Sequence, residues 1–262
     1  MARPLPLILL PPSEGKASGG DGPPWTPGTL SIELDERRAE VIAALTTAMR
    51  GSEPARGKLL GVKGRALAAA TAADRAVRTS PTMPAITRYT GVLYDALGHR
   101  SLSVTHRRRL DACVLIFSGI WGAVTPFDPI PDYKLKMGSA LPRLGKLSTW
   151  WCDALSARVG ELAAGRRVWN LLPHEHAAAW RPPEGVVQCS VRFLEPRPDG
   201  SLSAVSHWNK PLKGALVRFL LAHPDARPAD LSAWEHPCGH RYRPSLDEER
   251  DGITVLSFVR SG

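Results

Sequence analysis

Prolines at 126, 129 and 131 stand between an apolar run ending at Phe117 and the string Asp132-Tyr133-Lys134-Leu135-Lys136-Met137-Gly138. Each proline locks φ and removes a backbone donor, so the segment is neither helix nor central strand. A rigid loop that leaves a buried strand carrying an acid, a phenol and two ammoniums is suited to presenting groups. The plainer reading is a Pro-rich turn tying two core elements together.

Three short apolar runs, 7–10, 113–117 and 168–172, read as buried strands. Residues 186–195 and 201–206 flank Pro198-Asp199-Gly200 as a β-hairpin, and 239–242 pairs with 253–259 through an acidic turn ending Asp251-Gly252. A helix over 35–50 carries Val41, Leu45, Ala48 and Met49 on one stripe, and an alanine-rich helix runs to about Val77. Ser148 or Thr149 caps a helix that Gly165 stops, with Trp150, Leu155, Val159 and Leu162 as its core face. A last helix, to Ala222, turns Leu212, Leu216 and Phe219 or Leu220 inward. Strands and helices alternate loosely, which predicts a mixed α/β (α+β) fold in a single compact domain over 1–262.

Net charge +9 favours a polyanionic partner, nucleic acid or a phosphorylated ligand. Within that charge, eight lysines stand against 26 arginines. Seven of the eight (16, 58, 63, 134, 136, 210 and 213) fall in four short glycine- or proline-marked stretches. Lysine offers a compact charge and a shiftable pKa that arginine lacks. Ser13 and Lys16 lie just past the C-terminal end of the first strand, where open α/β sheets bind ligands. Lys210 and Lys213 sit near a helix N-terminus, which the macrodipole makes unfavourable for cations unless an anion is held there. Lys58-Leu59-Leu60-Gly61-Val62-Lys63-Gly64-Arg65 reads as the turn of a helix-hairpin-helix within residues 35–78, with Lys58, Lys63 and Arg65 placed for phosphate contact. A plain turn with solvated bases fits the same residues.

Other chemistry finds little support. No Gly-x-Gly-x-x-Gly, Gly-x-Ser-x-Gly or phosphate-loop spacing occurs, so no cofactor is expected. His174, His176, His236, Cys238 and His240 match no standard zinc spacing, and no metal is expected. The four cysteines suggest reduced thiols, and no apolar stretch has the length of a membrane span or a signal peptide; a cytoplasmic, monomeric protein is expected.

In order along nearly the whole chain, several motifs resemble the YaaA-type peroxide stress proteins, a bacterial UPF-class family. They are Pro12-Ser13-Glu14-Gly15-Lys16, Tyr89-Thr90-Gly91-Val92-Leu93-Tyr94, Ser118-Gly119-Ile120-Trp121-Gly122 and Pro126-Phe127-Asp128. They continue with Pro131-Asp132-Tyr133-Lys134-Leu135-Lys136-Met137-Gly138, Trp151-Cys152-Asp153, Asn170-Leu171 with Glu175, and Lys210-Pro211-Leu212-Lys213-Gly214 with Arg218. The resemblance implies a cytoplasmic α/β fold with a basic cleft and a helix-hairpin-helix, DNA binding, and protection under peroxide stress linked to intracellular iron. It brings Asn170 and Arg218 into the expected anion- or nucleic-acid-binding set. Two departures stand out: Pro173-His174-Glu175-His176 replaces a small polar residue and a Glu-Tyr pair, and Lys213 stands where arginine is expected.

Two functional readings lead, ahead of a third in which His174, His176, His236, Cys238 and His240 handle a metal such as iron. In the first, the chain binds nucleic acid through the hairpin and a basic cleft. In the second, Lys16, Lys136, Lys210 and Lys213 hold a phosphorylated or nucleotide-like ligand while Tyr133, Lys136 or Glu175 does acid–base chemistry. The second requires groups from distant loops to meet in one cavity.

Overall fold

The computed structural model describes residues 4–205, 209–234, 236, 238–250 and 252–260. Nine strands form one sheet: β1 Leu7–Leu10, β2 Val114–Ser118, β3 Gly122–Val124, β4 Val168–Asn170, β5 Gln188–Pro196, β6 Leu202–Ala204, β7 His240–Tyr242, β8 Glu248–Arg250 and β9 Ile253–Arg260. Their order is β7-β9-β5-β4-β1-β2-β3, with β6 on β5 and β8 on β9. From β9 to β2 the neighbours run parallel; β3, β6, β7 and β8 are antiparallel additions. All four residues of β1 and all five of β2 are buried. That is why these strands read as unbroken apolar runs: a parallel strand covered on both faces has no polar side to show.

The hairpin of β5 with β6 forms, and β7 pairs with the far end of β9, but the strand that enters the acidic turn is β8, paired with residues 253–255. The expected ends at Ser206 and Asp251 lie outside the described residues. Nine helices complete the described chain: α1 Asp35–Ala48, α2 Glu53–Leu60, α3 Gly64–Arg75, α4 Ala85–Arg88, α5 Val92–Leu97, α6 Val104–Cys113, α7 Leu147–Ala163, α8 His174–Ala177 and α9 Asn209–Ala222. The whole is one compact mixed α/β domain around a central, mostly parallel sheet. Among the described residues no helix is long and apolar enough to cross a membrane.

The expected core face of α7 needs correction. A small hairpin, Ala140–Leu141 with Gly145–Lys146, runs straight into the helix, so it begins at Leu147 and leaves Ser148 buried inside rather than capping. Leu155 and Val159 are buried as expected. At about 100° per residue, the residue that shares their stripe is Trp151, four before Leu155, rather than Trp150, and Leu162 is left 40% exposed. Trp151 also satisfies its one polar atom, donating from Nε1 to the Gly119 carbonyl at 2.9 Å, which a core tryptophan requires. Trp150 is half-buried beneath the Arg37 guanidinium. Gly165 stops the helix as expected, at φ +69°.

Three contacts set the loops that follow. Arg38, fully buried, donates to the carbonyls of Ile32, Trp121 and Ala123, fixing the Gly-rich turn between β2 and β3. Arg88, also fully buried, donates to the carbonyls of Ala17, Gly19, Pro81 and Ile130, pinning the segment after β1 to the proline loop. These arginines act as internal fasteners, saturating carbonyls that no strand or helix reaches. Helix α9 crosses α5 at Gly214, where an added Cβ would come within 2.2 Å of the Leu93 carbonyl oxygen. Only glycine permits that approach.

Candidate functional site

β1 is the middle strand from which the order steps one way to β2 and the other way to β4. Loops leaving adjacent strands on opposite sides of such a point open a crevice at their carboxyl ends. The crevice is present, as a cavity of about 350 Å3. Its walls are Pro11–Lys16 after β1, Gly91–Tyr94 at the start of α5, Tyr133–Lys136 after the prolines, Pro173, Glu175 and His176 after β4, and Lys210 in the first turn of α9. Five segments distant in sequence therefore meet there.

Residues 131–137 alternate along the wall. Pro131, Tyr133, Leu135 and Met137 are buried, while Asp132, Lys134 and Lys136 are half-exposed. This is the period of an extended chain, and it sorts the string into an anchoring face and a charged face. The anchoring phenol is tightly held. Tyr133 Oη lies 2.6 Å from Tyr89 Oη and 2.7 Å from Ser118 Oγ, which in turn accepts from the Trp121 backbone N–H. Burial pushes the Tyr89 phenol up to about 12 and the Tyr133 phenol well above its ordinary range, so both stay protonated near neutral pH.

Lys16 rests on this ring. Its Nζ is 4.3 Å from the Tyr133 ring centroid and 5.7 Å from that of Tyr89, and it donates to the Ser13 carbonyl at 2.9 Å. No carboxylate among the described residues lies within ion-pair distance of it. Burial lowers its pKa to about 8, with Asp132 opposing the shift and Lys134 adding to it. At the mouth, Lys136 Nζ pairs with the Glu14 carboxylate at 2.7 Å, and Lys134 Nζ reaches the Glu14 carbonyl at 3.5 Å. The Glu14 carboxyl is held below its ordinary value by that hydrogen bond from Lys136, with Lys134 and Lys210 adding their fields. Three lysines from two segments thus bear on one carboxylate. After β4, Glu175 is exposed with its carboxylate against Gly138, at the end of the lysine string, and His176 is buried with Nδ1 3.5 Å from that carboxylate. Burial lowers His176 to about 4, so it is neutral.

Of the residues expected from sequence, Ser13, Lys16, Tyr133, Lys134, Lys136, Glu175 and Lys210 line this cavity. Four others do not. Asn170 is taken up by Gln188 and the Leu172 N–H. Lys213 donates to the Leu171 carbonyl at 2.9 Å, and burial lowers it to about 8 as well. Arg218 donates to the Leu97 and Gly98 carbonyls, capping the end of α5. Lys58 bounds a neighbouring groove of about 830 Å3 that shares Lys136 and Glu175 with the cavity. Lys63 and Arg65 project into solvent beside it. The turn between α2 and α3 passes through Gly61 at φ +66°, where an added Cβ would lie 4.0 Å from Lys136 Nζ. Among the described residues no three His, Cys, Asp or Glu side chains form a metal-ligating group; His236 instead accepts from the Cys238 N–H.

Asp74 escaped the sequence reading. It is fully buried on α3, its Oδ1 accepts from the Lys134 N–H at 2.7 Å, and its Oδ2 has no hydrogen-bond partner. Burial raises it to about 6, against hydrogen bonds from the Lys134 and Leu135 N–H groups. One signal was available. Leu67, Ala70, Thr71 and Asp74 fall at helical spacing, so an acid occupies the inward stripe. Glu14, Tyr89 and Ser118 were inside quoted motifs but drew no role, because their partners lie on other segments.

Comparison with known proteins gives a consistent result. A family model described as "Peroxide stress protein YaaA" matches residues 7–246. A UPF0246 protein of Streptomyces coelicolor is 39% identical over 217 residues, covering 82% of this chain and 83% of that protein. One from Corynebacterium glutamicum is 37% identical over 218 residues, covering 82% and 84%. Another, from Cereibacter sphaeroides, is 31% identical over 187 residues, covering 69% and 70%.

Proposed function

This chain belongs to the YaaA family of peroxide stress proteins, and we propose that its cavity binds a phosphorylated or nucleotide-like small molecule and acts on it. The observation that carries this reading is the meeting of Lys16, Lys134, Lys136 and Lys210, drawn from three distant segments, around one enclosed space. Arginine is this chain's ordinary base, and a surface for nucleic-acid phosphates would be served equally well by it. Lysines at converging loop ends, one of them half-buried with no carboxylate in direct contact, suit a compact anion and proton transfer. Glu14 occupies the mouth as an internal carboxylate, and an incoming phosphate would take Lys136 from it. Glu175 lines the same cavity and would serve as its acid or base.

Titration calorimetry with inorganic pyrophosphate tests this. Wild type should bind at low salt and Lys210→Ala should weaken binding at least tenfold. Absence of binding by wild type at low salt would end the proposal.

A second reading keeps nucleic acid as partner. It is favoured by the continuity of the α2–α3 turn with the cavity wall at Lys136 and by the three exposed bases Lys58, Lys63 and Arg65. Here α2, the Gly61 turn and α3 act as a helix-hairpin-helix on a phosphate backbone. A mobility shift with duplex DNA at low salt, lost in the Lys63→Glu, Arg65→Glu double variant, would support it; a shift unmoved by that variant would refute it.

A further inference from the structure

Two half-buried lysines in this fold have no carboxylate within ion-pair distance among the described residues, and they differ in one respect. Lys213 points its ammonium at the Leu171 carbonyl and does not line this cavity. Lys16 has a ring face beneath it, the Ser13 carbonyl beside it, and open cavity on the remaining side. A desolvated ammonium with no carboxylate in direct contact carries a cost that a methionine or leucine over Tyr133 would not. An amine held there is explained if its lone pair is used.

We infer that Lys16 is a nucleophilic amine that forms an imine with the carbonyl carbon of a phosphorylated aldehyde or ketone, the phosphate being held at the mouth by Lys136 and Lys210. The inference rests on the anion-binding reading for the phosphate but not for the amine. In the step, the neutral Lys16 Nζ attacks the carbonyl carbon. A C–N bond forms as the C=O π electrons move to oxygen, which takes a proton. The resulting carbinolamine loses that oxygen as water with a second proton, and the nitrogen sheds protons to solvent, leaving a C=N bond. Nothing is oxidised or reduced. The requirement on the protein is an uncharged amine near neutral pH, which a desolvated lysine supplies. The titration of Lys16 near 8 leaves a usable neutral fraction at pH 7.5, where an exposed lysine has almost none. The locked Tyr133 ring, fixed through Tyr89 and Ser118, keeps the side chain from swinging to solvent.

Reductive trapping decides the matter. The full chain is incubated at pH 7.5 with glyceraldehyde 3-phosphate and sodium cyanoborohydride, whose hydride reduces the imine to a stable secondary amine, and the adduct is mapped by peptide mass spectrometry. The expected result is an adduct on Lys16, absent from Lys213 in the same digest and lost in Lys16→Met. Its rate should rise with pH through about 8, while any labelling of exposed lysines continues to climb above pH 9. Unphosphorylated glyceraldehyde should label Lys16 at least tenfold more slowly. If both aldehydes label Lys16 equally, the imine stands and the phosphate-binding role of the mouth falls. If adducts collect on Lys134, Lys136 or Lys210 while Lys16 stays unmodified, the inference is overturned, even if pyrophosphate still binds.

Discussion

The cavity and the α2–α3 turn are neighbours joined at Lys136, yet they hold their cations in opposite ways. In the cavity, Lys16 is packed on an aromatic ring, and Lys136 is paired with a carboxylate that two further lysines also face. On the turn, Lys58, Lys63 and Arg65 extend into solvent. Exposed charges attract polyanions at long range and are screened by salt over about 8–10 Å. Half-buried charges cannot be screened in that way, and they alter each other's proton affinity. The same residue type therefore serves attraction in one region and chemistry in the other. That is why the cavity carries the functional proposal and the turn only the second reading.

The harshest way to break this distinction is to dislodge α9, which delivers Lys210. Gly214→Val places methyl groups into the Leu93 carbonyl and should cost at least about 3 kcal/mol, read as a lowered urea midpoint. A midpoint matching wild type would show that α9 and α5 are not in contact at Gly214. A less disruptive cross-over exchanges the two regions directly. Lys136→Ala with Lys210→Ala should reduce pyrophosphate affinity more than tenfold by calorimetry, about 1.5–3 kcal/mol per charge-assisted contact. Lys63→Glu with Arg65→Glu should leave that affinity alone. If the second pair matters more than the first, the regions have been assigned the wrong way round.

Titration sharpens the contrast further. Asp74 has its folded-state pKa raised to about 6 from an ordinary 3.8, so between those values the native protein binds the proton more tightly than the unfolded chain. Stability should therefore fall as pH rises from about 4 to 6 and then level, by at most about 3 kcal/mol. Urea midpoints across that window should show the fall in wild type and its absence in Asp74→Asn; parallel profiles would remove Asp74 from the account. Tyr133→Phe keeps the ring under Lys16 but strands Tyr89 and Ser118, and a loss of about 1–2 kcal/mol is expected in thermal or chemical unfolding. The smallest effect belongs to the turn: Lys63→Glu alone should change stability by no more than about 0.5 kcal/mol.

Much of this arrangement was legible from the residues. The unbroken apolar runs gave β1 and β2, because a strand buried on both faces leaves no alternation to misread. Scarce lysines at loop ends pointed to Lys16, Lys136 and Lys210. What stayed hidden depended on partners. Asn170 and Arg218 satisfy local backbone and side-chain groups of their own core, a need no motif advertises. Asp74 acquires its character only when Lys134 is brought onto α3 from elsewhere in the chain. On α7, Leu155 and Val159 are buried as expected, while Trp150 and Leu162 fall off the i, i+4 stripe that Trp151 begins.

The position of β1 has a consequence for how the chain reaches this state. Leu9 is registered between Leu115 on one side and Asn170 on the other, so the strand cannot be seated until both have been made. At synthesis rates of roughly 5–20 residues per second, the interval is on the order of ten seconds. For that time Leu7–Leu10 is an unpaired, wholly apolar segment, and its closure must bridge long loops against chain entropy. Ser13 and Lys16 follow directly on that strand, so the cavity is finished only when the centre of the sheet is. A newly made molecule acquires the setting of Lys16 only after β4 has been made, and trapping of Lys16 would serve as a clock for the closure of the sheet's centre.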